Sequence, residues 1–550
     1  DPDLAHLSST EYVAPRNEIE VQLTEIWQEL LGVDKIGIYD NFFELGGHSL
    51  LIVRLISGLQ SIGYTVQVRD VFSNPSIALL SAKLSLVSSV SSIPANGITV
   101  DCNYITPEMV PLISLSQEEL EILMDTISGG ALNIEDIYPL APLQEGIYFH
   151  HLMSNPTQGD PYVTPSLLSF PSAAKRSQFI EGLEFVINRH DVLRTCVLSR
   201  GFTQNIQLVL REVVLAVEDL LLDISKEILP QLEQAISPEN LWMDVSKAPL
   251  LRLQKADDIE KEEYYLIVNY HHLVLDHVGL EKIIEEISMY VSGQGDQLLS
   301  PDLYRNFIGD IICNYSLAAS EDYFGSLLGE IDEPTYPFGL SNTLGDGSTK
   351  IDSSKVMLSS ELSSSIRSIS SKLQMSPAVL FHAAFGLVVS RCSNSEYALF
   401  GSLFSGRLQG SEGSASSLGL FINTLPVLLY IEDSVVDYLT QTKERLRDML
   451  PYEQTPLSSV HQWSGMSNDV HMFSALLNYR HSAVDDPFGV TSENTTDFDL
   501  GLEVLAGEER TNYPFTLDVD DYGDDFRLIA KIADVEIDAI RVVAYMEETL

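Results

Sequence analysis

A serine-rich segment, residues 85–97, divides this chain into two parts with different sequence patterns. It reads SLVSSVSSIPANG, which is typical of a linker that lies along a protein surface. The residues before it show apolar side chains at helical spacing, whereas from Asp136 onward strand-like and helix-like runs alternate. The chain has 550 residues, too many for one ordinary core. We therefore predict an α+β protein with a small helical domain followed by a larger α/β part.

The composition excludes several kinds of partner. The chain carries 79 acidic against 32 basic residues, a formal net charge of −47, which repels nucleic-acid phosphates and anionic membranes. Four cysteines lie far apart without a CxxC pair, which predicts reduced thiols in a cytoplasmic protein, with no metal site and no disulfide framework. No apolar run reaches the length of a membrane span. The opening residues, Asp-Pro-Asp, indicate a piece of a longer polypeptide.

The N-terminal part predicts four helices. The first covers Asn17–Leu31, where Asn17 is a candidate N-cap and Glu20 stands at capping-box spacing. Two further helices are expected near residues 68–72 and over residues 75–87. Together with a helix that begins near Ser49, they would form a four-helix bundle.

Ser49 follows two glycines at the predicted start of its helix. The segment 40–50 reads DNFFELGGHSL, and the apolar residues from Leu50 to Leu59 recur at helical spacing. A serine in this place can be only a helix cap. The positive end of the helix dipole also suits a phosphate attached to the hydroxyl, which the glycines leave accessible.

Segment 40–50 closely resembles the carrier-protein motif of peptidyl carrier domains. The resemblance implies that Ser49 bears a covalent 4′-phosphopantetheine, attached by a phosphopantetheinyl transferase, on which an aminoacyl or peptidyl group is carried as a thioester. We expect this carrier domain over residues 1–88 and a linker over residues 89–115.

A pair of histidines follows a strand-like run in the second part. Residues 264–270 are aromatic and β-branched, and the next seven read HHLVLDH, from His271 to His277. Adjacent imidazoles at a strand end, with Asp276 close behind, suit acid–base chemistry near neutral pH. The alternative is a pair of structural histidines.

The heptapeptide resembles the HHxxxDG signature of nonribosomal peptide synthetase condensation domains, with His277 in place of glycine. Further stretches resemble the other motifs of that family in the same order. They are YPLAPLQEG at 138–146, NRHDVLRT at 188–195, YRNF at 304–307, LGLFINTLP at 418–426, PYEQTP at 451–456 and a looser FSALLNYR at 473–480.

This resemblance implies two chloramphenicol-acetyltransferase-like lobes arranged as a V-shaped pseudo-dimer with a tunnel between them. We expect the lobes over residues 116–298 and 299–550. The reaction would be attack by the α-amine of a carrier-bound acceptor on the carrier-bound donor thioester. Implied partners are an upstream adenylation domain, downstream adenylation and carrier domains, and aminoacyl or peptidyl thioester substrates.

The resemblance also assigns roles to residues. His272 would be the base or the group that positions the amine, and His271 would be structural. Asp276 would hold the loop through an ion pair with Arg194, the arginine of the second motif. His277 is interpreted as a tolerated variant, although it could narrow the tunnel or add a titratable group.

One further stretch bears on the subtype. Residues 149–152 read FHHL and precede Gly159-Asp160, which resembles the HH[I/L]xxxxGD signature of dual epimerisation–condensation domains, with six intervening residues instead of four. In that case one histidine would remove the α-proton of the donor, and a second would return a proton on the other face. The pair would be His272 with either His151 or His150. The alternatives are an ordinary condensation domain with an L-configured donor, a helical histidine pair without function, and a catalytically silent scaffold that docks carriers.

The acidic run at residues 518–525 does not fit a calcium loop, because Ile529 stands where the bidentate glutamate belongs. We interpret it as a hairpin turn between strands at 515–519 and 526–530. The Gly- and Ser-rich stretch at 406–417 predicts a loop, for which a place beside the tunnel is one option.

Overall fold

The computed structural model consists of a small helical domain and two larger lobes. Described residues are 12–43, 45–47, 49–66, 68–86, 93–154, 157, 159–223, 225–259, 261–340, 351–407, 417–467, 470–481, 501–507, 511–533 and 537–550. Within them, no single helix is long and apolar enough to cross a bilayer. One pair of helices, 360–372 and 377–393, bent by 109°, passes that test by length and composition.

The N-terminal domain combines four helices with a two-stranded ladder. Its elements are α1 Glu18–Leu31, α2 Ser49–Ser61, β1 Tyr64–Thr65, α3 Val68–Ser73, α4 Ile77–Leu80 and β2 Ser85–Leu86. The predicted cap is confirmed, because the Asn17 side chain accepts the Glu20 N–H at 2.9 Å. The Glu20 carboxylate accepts from the backbone N–H of Arg16 and pairs with its guanidinium. Fully buried Leu23, Trp27, Phe42 and Leu55 form the centre of this domain.

The last helix of this domain is shorter than predicted. We expected it over residues 75–87, but α4 ends at Leu80 and a 3₁₀ turn covers residues 81–83. The chain then extends so that β2 pairs antiparallel with β1, Tyr64 facing Leu86. This pairing satisfies backbone groups that a longer helix would have satisfied internally.

Much of the predicted linker is packed against the first lobe. Ile98, Ile105 and Val110 are buried in one cluster with residues of that lobe. Near its start the segment also contacts the second lobe, because an added Cβ at Gly309 would come within 2.3 Å of the Ile93 side chain. Residues 87–92 lie outside the described residues.

The first lobe contains a five-stranded and a three-stranded sheet with helices packed on them. Its elements are α5 Gln117–Thr126, β3 Ile134–Tyr138, α6 Pro142–Met153, β4 Val163–Phe170, α7 Ala173–Arg189, β5 Thr195–Leu198, β6 Ile206–Leu210, β7 Val217–Asp219, α8 Ile228–Ala235, β8 Leu251–Asp258, β9 Glu263–His271 and α9 His277–Val291. The smaller sheet has the order β3-β6-β5. The core lies between the larger sheet and α7 and α9, which pack on each other.

The second lobe is organised around a six-stranded mixed sheet. Its elements are α10 Tyr304–Asn314, α11 Leu317–Leu328, β10 Asp352–Met357, α12 Ser360–Lys372, α13 Pro377–Ser393, β11 Tyr397–Phe404, β12 Asn423–Tyr430, α14 Val435–Met449, α15 Leu457–Trp463, β13 Ala475–His481, β14 Glu503–Gly507, β15 Phe515–Asp521, β16 Phe526–Ile532 and α16 Ala539–Thr549. The sheet order is β10-β16-β15-β13-β11-β12. The helix α13 is buried over most of its length.

Strand β14 joins the two lobes. It comes late in the sequence, yet it pairs antiparallel with β4 and completes the first lobe's sheet in the order β14-β4-β9-β8-β7. The chain therefore crosses from the second lobe to the first and returns for β15.

The predicted hairpin at the acidic run is confirmed, but its limits are different. Strands β15 and β16 pair antiparallel from Phe515↔Ile532 to Asp521↔Phe526. Asp518, Asp520 and Asp521 therefore belong to β15, where they are buried, and not to the turn. Basic partners compensate their charges: Lys531 at 3.0 Å from Asp518 and Arg527 at 2.8 Å from Asp520.

Candidate active site

One cavity of about 1940 Å³ is lined by the N-terminal domain and by both lobes. The first lobe contributes His150, Tyr162 and His272. The second contributes residues of α12, α13 and β11. This volume is larger than a typical small-molecule site, so the cavity has room for long substrates.

The helical domain borders this cavity through the segment that precedes α2 and through α3. The lining residues there include Phe43, Leu45, Gly46, Gly47 and Phe72. The rings of Phe43 and Phe72 stack at 5.3 Å, and α3 packs against α14 and the turn at 450–452. The predicted carrier motif thus borders the cavity.

Ser49 is the first residue of α2. Before it, Gly46 has φ +96°, a left-handed conformation that favours glycine. At Gly47 an added Cβ would come within 2.3 Å of the Phe42 ring. Two consecutive glycines therefore precede the N-terminal region of a 13-residue helix, and the positive end of such a helix fits a phosphate attached there.

His272 follows the last residue of β9 and lines the cavity. Its backbone N–H donates to the Tyr162 carbonyl at 2.9 Å. The Leu275 carbonyl lies 3.2 Å from Nδ1. Because a carbonyl can only accept, this contact assigns the ring proton to Nδ1 and leaves Nε2 with a lone pair. His272 can therefore accept a proton at Nε2.

His271 is fully buried and belongs to a hydrogen-bonded triad. Its Nε2 lies 3.2 Å from Asp160 Oδ2, and His151 Nδ1 lies 2.6 Å from the same oxygen. Burial opposes ionisation of Asp160, but the hydrogen bonds from His151 and His271 outweigh it and hold the pKa of that carboxyl well below its usual range. Burial lowers the pKa of His271. The predicted histidine–aspartate signature at 150–160 is therefore in direct contact with the histidine pair, with His151 buried beside Asp160.

His150, the other histidine of α6, is half-buried and lines the cavity with His272. Its Nε2 lies 2.8 Å from Asn512 Nδ2. Burial lowers the pKa of His150, and His471 lowers it further, while Asp160 partly opposes both. Of the two α6 histidines, His150 lines the cavity.

The predicted ion pair between Asp276 and Arg194 is wrong. Arg194 pairs with Glu135 and also donates to the Leu210 carbonyl. Asp276 instead lies 3.0 Å from Nη2 of Arg407, and both side chains are buried. Arg407 belongs to the loop expected beside the tunnel. Residues 408–416 lie outside the described residues.

Asp276 also fixes the start of α9. Its carboxylate accepts the Gly279 N–H at 2.8 Å, an N-cap contact. His277 is the first residue of α9, lines the cavity, and has Nε2 at 3.7 Å from Glu281 one turn later. Its side chain thus lies at the wall of the cavity.

Comparison with known proteins identifies the family. Residues 134–536 match the family model of the condensation domain, and residues 21–84 match that of the phosphopantetheine attachment site. The chain belongs to the condensation-domain family. It is a carrier domain followed by a condensation domain, as predicted for a nonribosomal peptide synthetase fragment of the amide-forming acyltransferase class. The carrier takes a covalently attached 4′-phosphopantetheine.

Similar curated proteins include several synthetases. Over all of this chain, malpibaldin synthetase of Mortierella alpina is 36% identical and malpinin synthetase of the same organism is 37% identical. A linear gramicidin synthase of Brevibacillus parabrevis is 26% identical over 86% of the chain. The chain spans only 10%, 7% and 9% of these three relatives.

Solved structures confirm the α+β condensation-domain fold. The condensation domain of the monacolin K polyketide synthase covers 76% of this chain and 96% of its own length, with a TM-score of 0.56 and 18% identity. A four-domain nonribosomal peptide synthetase bound to AMP and glycine covers 76% of this chain and 33% of its own, with a TM-score of 0.57 and 16% identity.

Two residues of the site were missed from the sequence. Arg407 was noted only as part of a loop, and nothing local marks it as the partner of Asp276. Asn512 lies in a segment without any recognised motif. Its contact with His150 joins residues 362 positions apart.

Proposed function

We propose that this chain forms peptide bonds in nonribosomal peptide synthesis. The carrier domain presents a donor thioester from Ser49, and the α-amine of a second carrier-bound substrate attacks it beside His272. The observation that carries this proposal is a cavity lined both by Gly46 and Gly47 of the carrier motif and by His272. When bound, 4′-phosphopantetheine would hold the donor as a thioester at the end of a flexible arm.

His272 is the proposed base. An α-ammonium has no lone pair for attack, so a group that accepts or orients its proton assists the reaction. Nε2 of His272 can do this because Nδ1 is directed at the Leu275 carbonyl. Holding the two substrates in line supplies further acceleration, on the order of 7–11 kcal/mol for well-oriented pairs.

Asp276, His271 and Arg194 have supporting roles in this proposal. Asp276 holds the start of α9 and anchors Arg407, which joins the first lobe to the second. His271, bound to Asp160, fixes the end of β9 and is not among the residues that line the cavity. Arg194 supports β3 and β6 through Glu135 and the Leu210 carbonyl and is not among the residues that line the cavity.

Attachment at Ser49 is tested by intact-mass spectrometry. A phosphopantetheinyl transferase should add one arm to the wild type and none to Ser49→Ala, whose carrier should keep its fold because only the first residue of α2 changes. The same mass increase in Ser49→Ala would show that the phosphopantetheine is attached to a different residue. The loaded wild type should then deliver its donor to an acceptor carrier.

A second activity, epimerisation of the donor before condensation, is favoured by a specific observation. His150 on α6 and His272 after β9 line the same cavity from different elements. We assign His150 rather than His151 as the second proton-transfer group, because His151 is buried against Asp160 and contributes to the support of His271. An ordinary condensation domain with an L-configured donor, and a silent carrier-docking scaffold, are the competing functions.

The test of epimerisation uses a carrier loaded with an L-residue in deuterated buffer. Deuterium should enter the donor's α-position, and the product should contain a D-residue. A product with protium and L configuration would leave peptide-bond formation as the only activity. No amide with either donor configuration would favour the scaffold.

The remaining partners follow from the family. We propose that adenylation domains on either side load this carrier and the acceptor carrier, in the cytoplasm where the phosphopantetheinyl transferase acts. Domain limits of 1–88 for the carrier, 89–115 for the linker, and 116–298 and 299–550 for the lobes remain our proposal.

A further inference from the structure

Asn512 connects the two lobes at the cavity. It precedes β15 in the second lobe, and its side chain contacts two residues of the first. Its Oδ1 accepts from the Tyr162 hydroxyl at 2.9 Å, and its Nδ2 lies 2.8 Å from His150 Nε2. All three side chains line the cavity with His272, and Asn512 is buried.

These contacts define the hydrogen-bonding state of the His150 ring. Burial raises the pKa of Tyr162 well above its usual value, so its hydroxyl keeps its proton and donates to Oδ1. Nδ2 of Asn512 then donates to His150 Nε2, which must be unprotonated, and the ring proton is on Nδ1. Because Asn512 occupies Nε2, Nδ1 is the nitrogen left to meet a substrate.

The side-chain amide of Asn512 can also flip, which exchanges the positions of Oδ1 and Nδ2. With Oδ1 directed at His150, Nε2 carries a proton, and Nδ2 donates to the Tyr162 oxygen, which can accept. In the neutral ring Nδ1 is then unprotonated and can accept a proton, and in the doubly protonated ring Nδ1 can donate one. His150 is therefore active in proton transfer when Oδ1 of Asn512 faces it, and inactive when Nδ2 does.

We propose that Asn512 is a positioning residue that governs whether Nδ1 of His150 can exchange a proton with the donor substrate. The proposal rests on the epimerisation proposed above. One imidazole takes the α-proton, and the electron pair of that C–H bond moves toward the thioester carbonyl. The other imidazole returns a proton to the opposite face and forms the new C–H bond. Proton exchange with water then restores both rings.

Two substitutions separate this role from a packing role. Asn512→Asp offers only acceptors, so it fixes a proton on Nε2 of His150 and favours the cationic ring. Asn512→Leu has a similar volume and fixes neither state. Besides Asn512, the groups that face His150 are His471, Asp160 and Tyr162. Both substitutions keep these residues, but Asn512→Leu also removes the acceptor of the Tyr162 hydroxyl, whereas Asn512→Asp retains it.

The measurement is the rate of deuterium entry at the donor α-carbon against pH in the full chain, with amide formation from a D-configured donor followed in parallel. Asn512→Leu should slow exchange at least tenfold, and it should slow exchange more than it slows amide formation from the D-configured donor, which needs no second proton-transfer group. Asn512→Asp should retain exchange and shift its pH profile to higher pH. Asn103→Asp, an exposed asparagine outside the cavity, is the control and should change neither.

Two outcomes would overturn the inference. If wild type exchanges deuterium but both Asn512 variants keep its rate and pH profile, Asn512 has no such role, although epimerisation stands. If wild type does not exchange deuterium at all, the epimerisation proposal fails and this inference with it. Histidine-selective NMR provides a second readout, in which the pKa of His150 should be higher in Asn512→Asp than in wild type.

Discussion

Asp276 and Arg407 form a buried ion pair between the two lobes, with Nη2 of Arg407 3.0 Å from each carboxylate oxygen. Arg407 also lies over the Phe421 ring, 4.0 Å from its centroid, and donates to the Ser417 carbonyl. The pair connects the start of α9, directly after the histidines, to the end of β11. It therefore fixes the position of the histidine loop relative to the second lobe.

Arg407→Ala or Asp276→Ala should each lower the free energy of unfolding by about 3–5 kcal/mol, because each leaves one buried charge without its partner. The double variant should cost clearly less than the sum of the two. Urea unfolding of the two single variants and the double variant measures this coupling.

Arg194 provides the matched control. Since Arg194 pairs with Glu135, the effects of Arg194→Ala and Asp276→Ala should add within about 0.5 kcal/mol. Strong coupling of Asp276 to Arg194 and none to Arg407 would contradict the assignment.

His382 predicts a pH dependence of stability. It lies in the first half of α13, Nδ1 is 2.7 Å from the Ala378 carbonyl, and Nε2 is 2.8 Å from Ser402 Oγ. Burial lowers its pKa from 6.5 to about 4. Between these values the unfolded chain binds a proton that the folded chain does not. The contribution of neutral His382 to the free energy of unfolding is therefore complete above pH 6.5. It is lost as the pH falls toward 4, by up to about 1.4 kcal/mol per pH unit.

The check is the unfolding free energy in urea at pH 7.5 and pH 5.5. Wild type should lose more stability between these values than His382→Gln, which has no titrating group at this position. Equal losses in the two proteins would show that His382 is not the source of the dependence.

Gly47→Ala should damage the carrier. The added methyl group would lie 2.3 Å from the Phe42 ring, which is fully buried and packs edge-on against Trp27 at 4.9 Å. Displacing that ring should destabilise the domain by about 1–3 kcal/mol and slow the modification of Ser49. Calorimetry and the time course of mass increase with a phosphopantetheinyl transferase measure the two effects.

Gly58→Ala is the control for this substitution. Gly58 lies within α2, where the atoms nearest to the new methyl group belong to the Ile26 side chain, the first at 3.3 Å. Its effect on both measurements should be small. If Gly47→Ala and Gly58→Ala gave equal results in both measurements, the claim that a glycine is required at position 47 would be wrong.

Local signals in the sequence were sufficient for many elements of the fold. The Asn17 cap and the apolar stripe after it predicted α1, and the aromatic and β-branched run before His271 predicted β9. These features depend on residues a few positions apart. The length of α4 was overestimated because the pairing of β2 with β1 replaces its last turns, and that pairing is not encoded in helical periodicity.

The contacts that complete the site could not be predicted in this way. Asp276 and Arg407 are 131 positions apart, and only the meeting of two lobes brings them together. The same holds for β14, which pairs across the lobes with β4. The resemblance of short motifs located the histidines, but it supplied the wrong arginine for Asp276.

The most direct test of the account is single-turnover amide formation between two loaded carriers, compared for wild type and His272→Ala. Loss of a positioned proton acceptor should lower the rate by about 10²–10⁴-fold while urea unfolding and attachment at Ser49 stay as in wild type. A variant that forms the amide within about twofold of the wild-type rate would contradict the role of His272 and the function assigned to the cavity.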